Sequence, residues 1–338
     1  MNILNRFTLF ILFAVLSTAA QATETNWVVY QGHAGPGQGK EIVFLSGDDE
    51  YRSEEGLPML AKILAVRHGF KCTVLFPINP RDGTIDPASL TNIPGMAALD
   101  SADLCVMGLR FRELPDTEMK HFVDYLNAGK PVIGLRTSTH SFAYEHNKSS
   151  PYAGYDWRDT NWPGGFGQQV LGETWVAHHG KHAVESTRGV INEAFTNSPI
   201  LRGVSDIWVP TDVYEVKHLQ PYVDVLVSGQ VLAGMKPTDP PVDGAKNNPM
   251  MPVVWTRRHT TDGGRSSKIL TTTMGAAVDL KNEGLRRLLV NACYWAVGLE
   301  GSIPAKANVD YVGDYDPTWF GFGTHKRGLK PQDLELKL

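Results

Sequence analysis

Residues 41–76 read EIVFLSGDDEYRSEEGLPMLAKILAVRHGFKCTVLF. Ile42-Val43-Phe44-Leu45 is a short unbroken apolar run that ends at Ser46-Gly47, the pattern of a strand buried on both faces of a parallel sheet. After a polar loop from Asp48 to Glu55, Leu57, Leu60, Ala61 and Leu64 repeat at helical spacing, with Pro58 near the first turn and His68-Gly69 as the stop. A second apolar run, Phe70 to Phe76, comes directly after. Strand, helix and strand within 36 residues make one βαβ unit, whose crossover is expected to be right-handed.

Working outward, the unit repeats. Asp103 to Leu109 is a third apolar run. Pro115 opens a helix with Asp116 and Glu118 in its first turn, Met119, Phe122, Val123 and Leu126 on one face, and Gly129 at its end. Pro131 to Leu135 is a fourth strand. The fold class is α/β: an open, mainly parallel sheet with helices on both faces. Further strands are predicted at Ala183–Ser186, Trp208–Val216, Val223–Val231, Val253–Arg257 and Lys268–Thr273, and a last helix from Glu283 to Val297. Residues 147–180, crowded with Gly, Pro, Tyr and Trp, interrupt the rhythm and read as an ordered insertion. Residues 23–39 are a polar, Gly-rich lead, and 301–338 an irregular tail packed on the outside.

The 338-residue chain is 42% hydrophobic and 20% charged, an ordinary globular composition that excludes collagen, coiled coil and disorder. Its net charge of −4, without a basic stripe, argues against nucleic acid as a partner. Residues 1–22 join Arg6, an apolar run from Phe7 to Leu16 and Ala20-Gln21-Ala22, the plan of a cleaved signal peptide. The protein is therefore expected to be exported, periplasmic or extracellular, with no membrane association after cleavage; an uncleaved anchor is the alternative. Cys72, Cys105 and Cys293 lie in apolar runs without a C-x-x-C pair and read as buried thiols rather than zinc ligands or nucleophiles. Nothing in the sequence sets the oligomeric state.

In an open parallel sheet ligands bind outside the carboxyl ends of the strands. Three polar junctions lie at such ends: Asp48-Asp49-Glu50-Tyr51, Arg110-Phe111-Arg112 and Arg136-Thr137-Ser138-Thr139-His140. Carboxylates, guanidinium groups and hydroxyls suit a neutral polyhydroxylated ligand, and Trp157 and Trp162 of the insertion are candidate stacking lids. Neither G-x-x-x-x-G-K-[ST] nor G-x-G-x-x-G comes after the first strand, so no nucleotide is expected. The cluster His178-His179-Gly180-Lys181-His182 adds a candidate divalent-metal set, with His140, His178, His179 and His182 as ligands; loop histidines bonded locally are the alternative. G-x-S-x-G is absent, so Ser138 is not read as a nucleophile, whereas Asp48, Asp49 and Glu50 offer general acid or base groups.

Residues 40–76, ADLCVMGLRFRELPDTEMKHFVDYLNAGKPVIGLRTSTHSF, GGFGQQVLGETWVAHHGKH, SPILRGVSDIWVPTDVYEV, MPVVWTRRH and SKILTTTMG together resemble the ThuA-like (trehalose utilisation) family, over roughly residues 40–300. Within it the chain looks like the exported members of planctomycete-type bacteria. The resemblance implies a flavodoxin-like fold similar to class I glutamine amidotransferases and a role in carbohydrate metabolism, on a disaccharide, glycoside or keto-sugar derivative. A hydrolase, lyase or isomerase would fit, but not a glutamine amidotransferase, because the elbow lacks its Cys. His179 is the position that best matches a family active-site histidine. Arg136 stands where the family often has His, and Gly275-Ala276 where it often has Gly-His.

These readings converge on an exported carbohydrate-acting enzyme with Asp48, Asp49, Arg136, His140 and His179 as catalytic candidates. Glu50, Tyr51, Arg110, Arg112, Thr137, Ser138, Trp157, Trp162 and His178 are the substrate-binding candidates. The competing class is a non-catalytic sugar-binding or accessory protein on the same scaffold. Asp48 and Arg136 are expected to face each other across the crevice; Glu145 is the alternative partner for Arg136.

Overall fold

The computed structural model describes residues 25–336. The segment expected to be a signal peptide lies outside the described residues. No helix among the described residues is long and apolar enough to cross a membrane.

Ten strands form one sheet: β1 (Trp27–Tyr30), β2 (Glu41–Gly47), β3 (Lys71–Leu75), β4 (Leu104–Leu109), β5 (Val132–Leu135), β6 (Ser186–Ile191), β7 (Ile207–Val209), β8 (Asp224–Leu232), β9 (Met251–Thr260) and β10 (Ser266–Thr272). Their spatial order is β1-β3-β2-β4-β5-β10-β9-β8-β6-β7. The centre, from β3 through β2, β4 and β5 to β10, is parallel. Both flanks are antiparallel: β1 on β3 at one side, and β9, β8, β6 and β7 in succession at the other. The expected mainly parallel sheet is thus corrected to a mixed one. Of the later strands only β9 and β10 are joined by a short turn, residues 261–265, which reverses the chain into an antiparallel pair. Strands β8, β6 and β7 reach their antiparallel places through longer irregular connections.

Three helices, α1 (Ser53–His68), α2 (Asp116–Asn127) and α3 (Glu283–Ala296), flank the parallel centre. Alternation along the strands assigns the faces. Ile42, Phe44, Val106 and Leu135 share one core with Leu60 and Leu64 of α1 and Leu288 and Leu289 of α3. Val43, Leu45, Met107 and Val132 share the other with Met119, Phe122 and Leu126 of α2. Gly69 ends α1 at φ 81°, a left-handed position that glycine adopts without a Cβ clash.

Two strand boundaries depart from the sequence reading. The run at 183–186 enters the sheet only at Ser186, because residues 181–185 form a turn in which Glu185 N–H returns to Lys181 O. The run at 208–216 pairs only as Ile207–Val209, since Pro210 has no N–H to give the ladder. The chain then bends back, so that Tyr214 makes a single antiparallel bridge with His178. This bend carries Asp212 and Tyr214 to the carboxyl ends of the parallel strands. Cys72, Cys105 and Cys293 are buried free thiols.

Candidate functional site

Strands β2, β4 and β5 release their chains at the same edge of the sheet, each into a polar loop. After β2, Asp48 folds the loop on itself: its Oδ1 accepts from the N–H of Glu50 at 2.8 Å and of Tyr51 at 2.9 Å. Its Oδ2 accepts from Thr137 Oγ1, just past the end of β5. Burial pushes this carboxyl up from its ordinary range. Both of its oxygens are engaged in holding two strand-end loops together, so Asp48 is a positioning group.

Arg136 lies at the centre. It adopts φ 47°, an uncommon left-handed conformation for a non-glycine residue, and is 1% exposed. Its guanidinium is sandwiched between the rings of Tyr51 and Tyr214, 4.4 and 3.9 Å from their centroids. It donates to Tyr51 Oη at 3.1 Å, to the carbonyls of Asp212 and Thr273, and to Asp212 Oδ1 at 2.8 Å. The expected partners are corrected here: Arg136 pairs neither with Asp48 nor with Glu145 but with Asp212, and Glu145 pairs with Arg158 at 2.7 Å. A fully buried guanidinium is stabilised by an ionised acid beside it, and Asp212, with no side-chain exposure, supplies one.

Asp212 also holds the histidines. Its Oδ2 lies 2.7 Å from His178 Nδ1, and its Oδ1 lies 3.4 Å from His182 Nδ1. Burial alone would push the Asp212 carboxyl up. The Arg136 guanidinium and the hydrogen bonds from His178 and His182 outweigh it and hold the group well below the ordinary carboxylate range. An ionised carboxylate only accepts, so His178 donates to it from Nδ1, and in the neutral ring Nε2 is the nitrogen that carries the lone pair. His182 Nε2 faces Glu50 Oε1 at 3.6 Å. Burial raises the Glu50 carboxyl, with the neighbouring Asp48 charge adding to the shift.

An aromatic wall runs beside these groups. His140, 3% exposed, packs among Phe111, Trp175 and Tyr214 at 5.1, 5.6 and 6.4 Å between ring centroids. Burial holds its imidazole well below the ordinary range, hence neutral, so it shapes the wall more readily than it carries charge. Trp157 lies 5.7 Å from Phe111 and 6.1 Å from Trp175. Phe111, Trp157, Glu113 and Arg158 line an adjoining hollow of about 310 Å³. Asp49 pairs with Arg110 at 3.0 Å on the rim.

Several sequence candidates lie elsewhere or are otherwise engaged. The His179 ring turns away, its Nε2 meeting the carbonyl of Lys246 at 2.8 Å. It comes directly after His178 at a bend, where the N–H groups of His179 and Gly180 both donate to Val213 O. Arg112 is buried and donates to the carbonyls of Arg110, Ser89 and Pro87. Ser138 Oγ donates to Met107 O at 2.9 Å. Trp162 packs on Tyr155 and borders a separate polar hollow with Arg257 and His259. Conversely, Asp212, Tyr214, Trp175 and Phe320 were not among the candidates. Asp212 and Tyr214 occur in WVPTDVYEV, where an acid flanked by apolar residues just after a strand-breaking proline was the available signal.

For a metal, His178, His182 and Asp212 are the set: one ligand atom from each lies within 4.8 Å of the others. His140 and His179 do not belong to it. Two imidazoles and a carboxylate suit a zinc-type ion, although Arg136 already balances the Asp212 charge.

The profile of the ThuA family, described as trehalose utilisation, matches residues 43–296. Comparison with curated proteins gave no match. Among solved structures, a protein described as ThuA-like from Bacteroides uniformis is similar at 15% identity, with 79% of this chain and 95% of that chain covered and a TM-score of 0.45. Another described as ThuA-like, from Parabacteroides merdae, is similar at 13% identity, with 78% and 91% covered and a TM-score of 0.49. The family profile spans most of the chain, from the second strand of the sheet to the end of its last helix, and the chain belongs to the ThuA (trehalose utilisation) family.

Proposed function

We propose that the protein is an exported enzyme of carbohydrate metabolism that moves protons on a disaccharide, glycoside or keto-sugar derivative. The observation that carries this is the 2.7 Å contact between His178 Nδ1 and Asp212 Oδ2. A buried carboxylate that fixes one ring nitrogen leaves the other as a base, the arrangement by which enzymes orient catalytic imidazoles. Glu50, with its raised carboxyl, faces the same cluster through His182 and is the acid of the pair. Arg136 keeps Asp212 ionised, and the wall of Phe111, Trp157, Trp175 and Tyr214 offers faces for a sugar ring. Family membership supports the carbohydrate class, the order of the parallel strands supports the flavodoxin-like reading, and the pattern of residues 1–22 supports export to the periplasm or beyond.

The convergence of His178, His182 and Asp212 favours a second reading, in which a divalent metal bound there polarises the sugar oxygen. Both are tested by incubating the purified mature chain with disaccharides and 3-keto-glycosides, with EDTA or with added Zn²⁺ or Mn²⁺. Turnover that survives EDTA supports the proton-transfer reading, and turnover restored only by metal supports the second. Sugar binding without turnover under every condition would leave a binding protein.

A further inference from the structure

The family match ends at residue 296, yet the chain beyond it crosses the site. Gly321 N–H donates to Glu50 O at 2.8 Å, and Arg52 donates to Gly321 O and to Thr324 Oγ1. Glu55 accepts from Thr318 and pairs with Lys326 at 2.7 Å. Residues 318–326 are thereby tied along the loop after β2. Phe320 is buried, its centroid 5.5 Å from that of Tyr51 and 5.2 Å from that of His182. It forms part of the wall of the histidine cluster.

Phe322, two residues on, is 58% exposed. A lone exposed apolar residue is ordinary on a protein surface. This one is held in place. Arg110 stacks between Phe322 and Phe111, 4.9 and 4.3 Å from their centroids, while Asp49 and Glu50 hold the guanidinium at 3.0 and 3.6 Å. The row Phe322, Arg110, Phe111 therefore continues the aromatic wall outward. Phe111 touches His140 and Trp157, and Phe322 lies on the far side of Arg110. A ring resting on Phe322 is a different ring from one at His178. The C–H face of a pyranose is apolar and weakly positive, matching the electron-rich face of a fixed arene, and Asp49 and Arg110 stand beside it to bond ring hydroxyls.

We propose that the C-terminal segment supplies a second carbohydrate subsite, in which Phe322 stacks on a glycosyl ring adjoining the one handled at His178. This rests on the carbohydrate reading of the cluster and narrows it: the substrate has two or more rings, and residues outside the family match select it. The test is calorimetric titration of the full chain, its Phe322→Ala and Phe322→Ser variants and the aromatic Phe322→Trp with trehalose, maltose, cellobiose and glucose. The exposed position leaves the thermal midpoint of each variant at the wild-type value. The truncations weaken disaccharide binding about tenfold and leave glucose binding within about twofold of wild type, while Phe322→Trp keeps disaccharide binding at the wild-type level. Disaccharide affinity unchanged in both truncations, or equal losses for glucose and disaccharides, overturns the subsite and leaves the proposed function standing. So does a wild type that binds glucose but no disaccharide. A wild type that binds none of these sugars overturns the subsite, and the proposed function falls with it when 3-keto-glycosides are not bound either.

Discussion

Asp212 and His178 meet at 2.7 Å, one with no side-chain exposure and the other with 36%. A buried charge is thereby linked to a ring that solvent and substrate can reach. Arg136 completes the line from inside, 2.8 Å from the opposite oxygen of the same carboxylate. The three come from different parts of the chain: Arg136 from the end of β5, Asp212 from the bend after β7, and His178 from the segment bridged to Tyr214.

Replacing Asp212 by Asn leaves Arg136 buried without a counter-charge. Breaking a buried pair in this way costs about 3–5 kcal/mol, so chemical denaturation at neutral pH shows a loss on that order. The depressed carboxyl sets the sign with pH. Its contribution is present above the unfolded carboxylate range and is lost as pH falls through the lower folded value. The gap between wild type and variant therefore closes in strong acid and is constant from about pH 5 upward. A gap that widens in acid would remove Asp212 from this role.

Glu54 behaves oppositely. It is 2% exposed, neither carboxyl oxygen has a hydrogen-bond partner, and burial pushes the group up to about 8. The folded protein keeps this proton where the unfolded chain has released it, so stability falls as pH rises from about 4.5 to about 8. Glu54→Gln removes that slope. The variant matches wild type near pH 4.5 and exceeds it by a few kcal/mol, on the order implied by the shift, above pH 8. Thermal midpoints measured across that window read the difference directly.

Thr137 tests the loop that Asp48 organises. Thr137→Val keeps the shape but strands one oxygen of a buried carboxylate, a cost of about 1–3 kcal/mol. Because the same carboxylate holds the Glu50 and Tyr51 N–H groups, sugar affinity falls along with stability. A variant that loses stability but binds sugar as wild type would show that the loop does not shape the site.

The parallel centre was legible because its strands are buried on both faces and read as unbroken apolar runs, as in Ile42–Leu45 and Val132–Leu135. The antiparallel direction of β6 to β9 was not, since an isolated apolar run carries no mark of which way its neighbour points. Strand ends pointed to Arg136 and the loop at 48–51, which the structure brings into one cluster. Asp212 escaped because it reaches that cluster from the other half of the sheet, through a bend set by Pro210. His178 and His179 were both legible as candidates, but which of the two rings meets Asp212 was not, because it depends on the bend at His179 that sends the neighbouring rings to different partners. Phe320 and Phe322 escaped because irregular chain has no period to read.

The most direct measurement of the central claim is kcat for His178→Ala on whichever disaccharide or keto-glycoside the wild type converts, paired with the affinity of the variant for that sugar. Asp212 keeps Arg136 as its partner in this variant, so the fold is retained. The account expects kcat to fall about 10²- to 10⁴-fold, as when a general base is removed, with affinity within about threefold of wild type. Turnover by His178→Ala at the wild-type rate would contradict it.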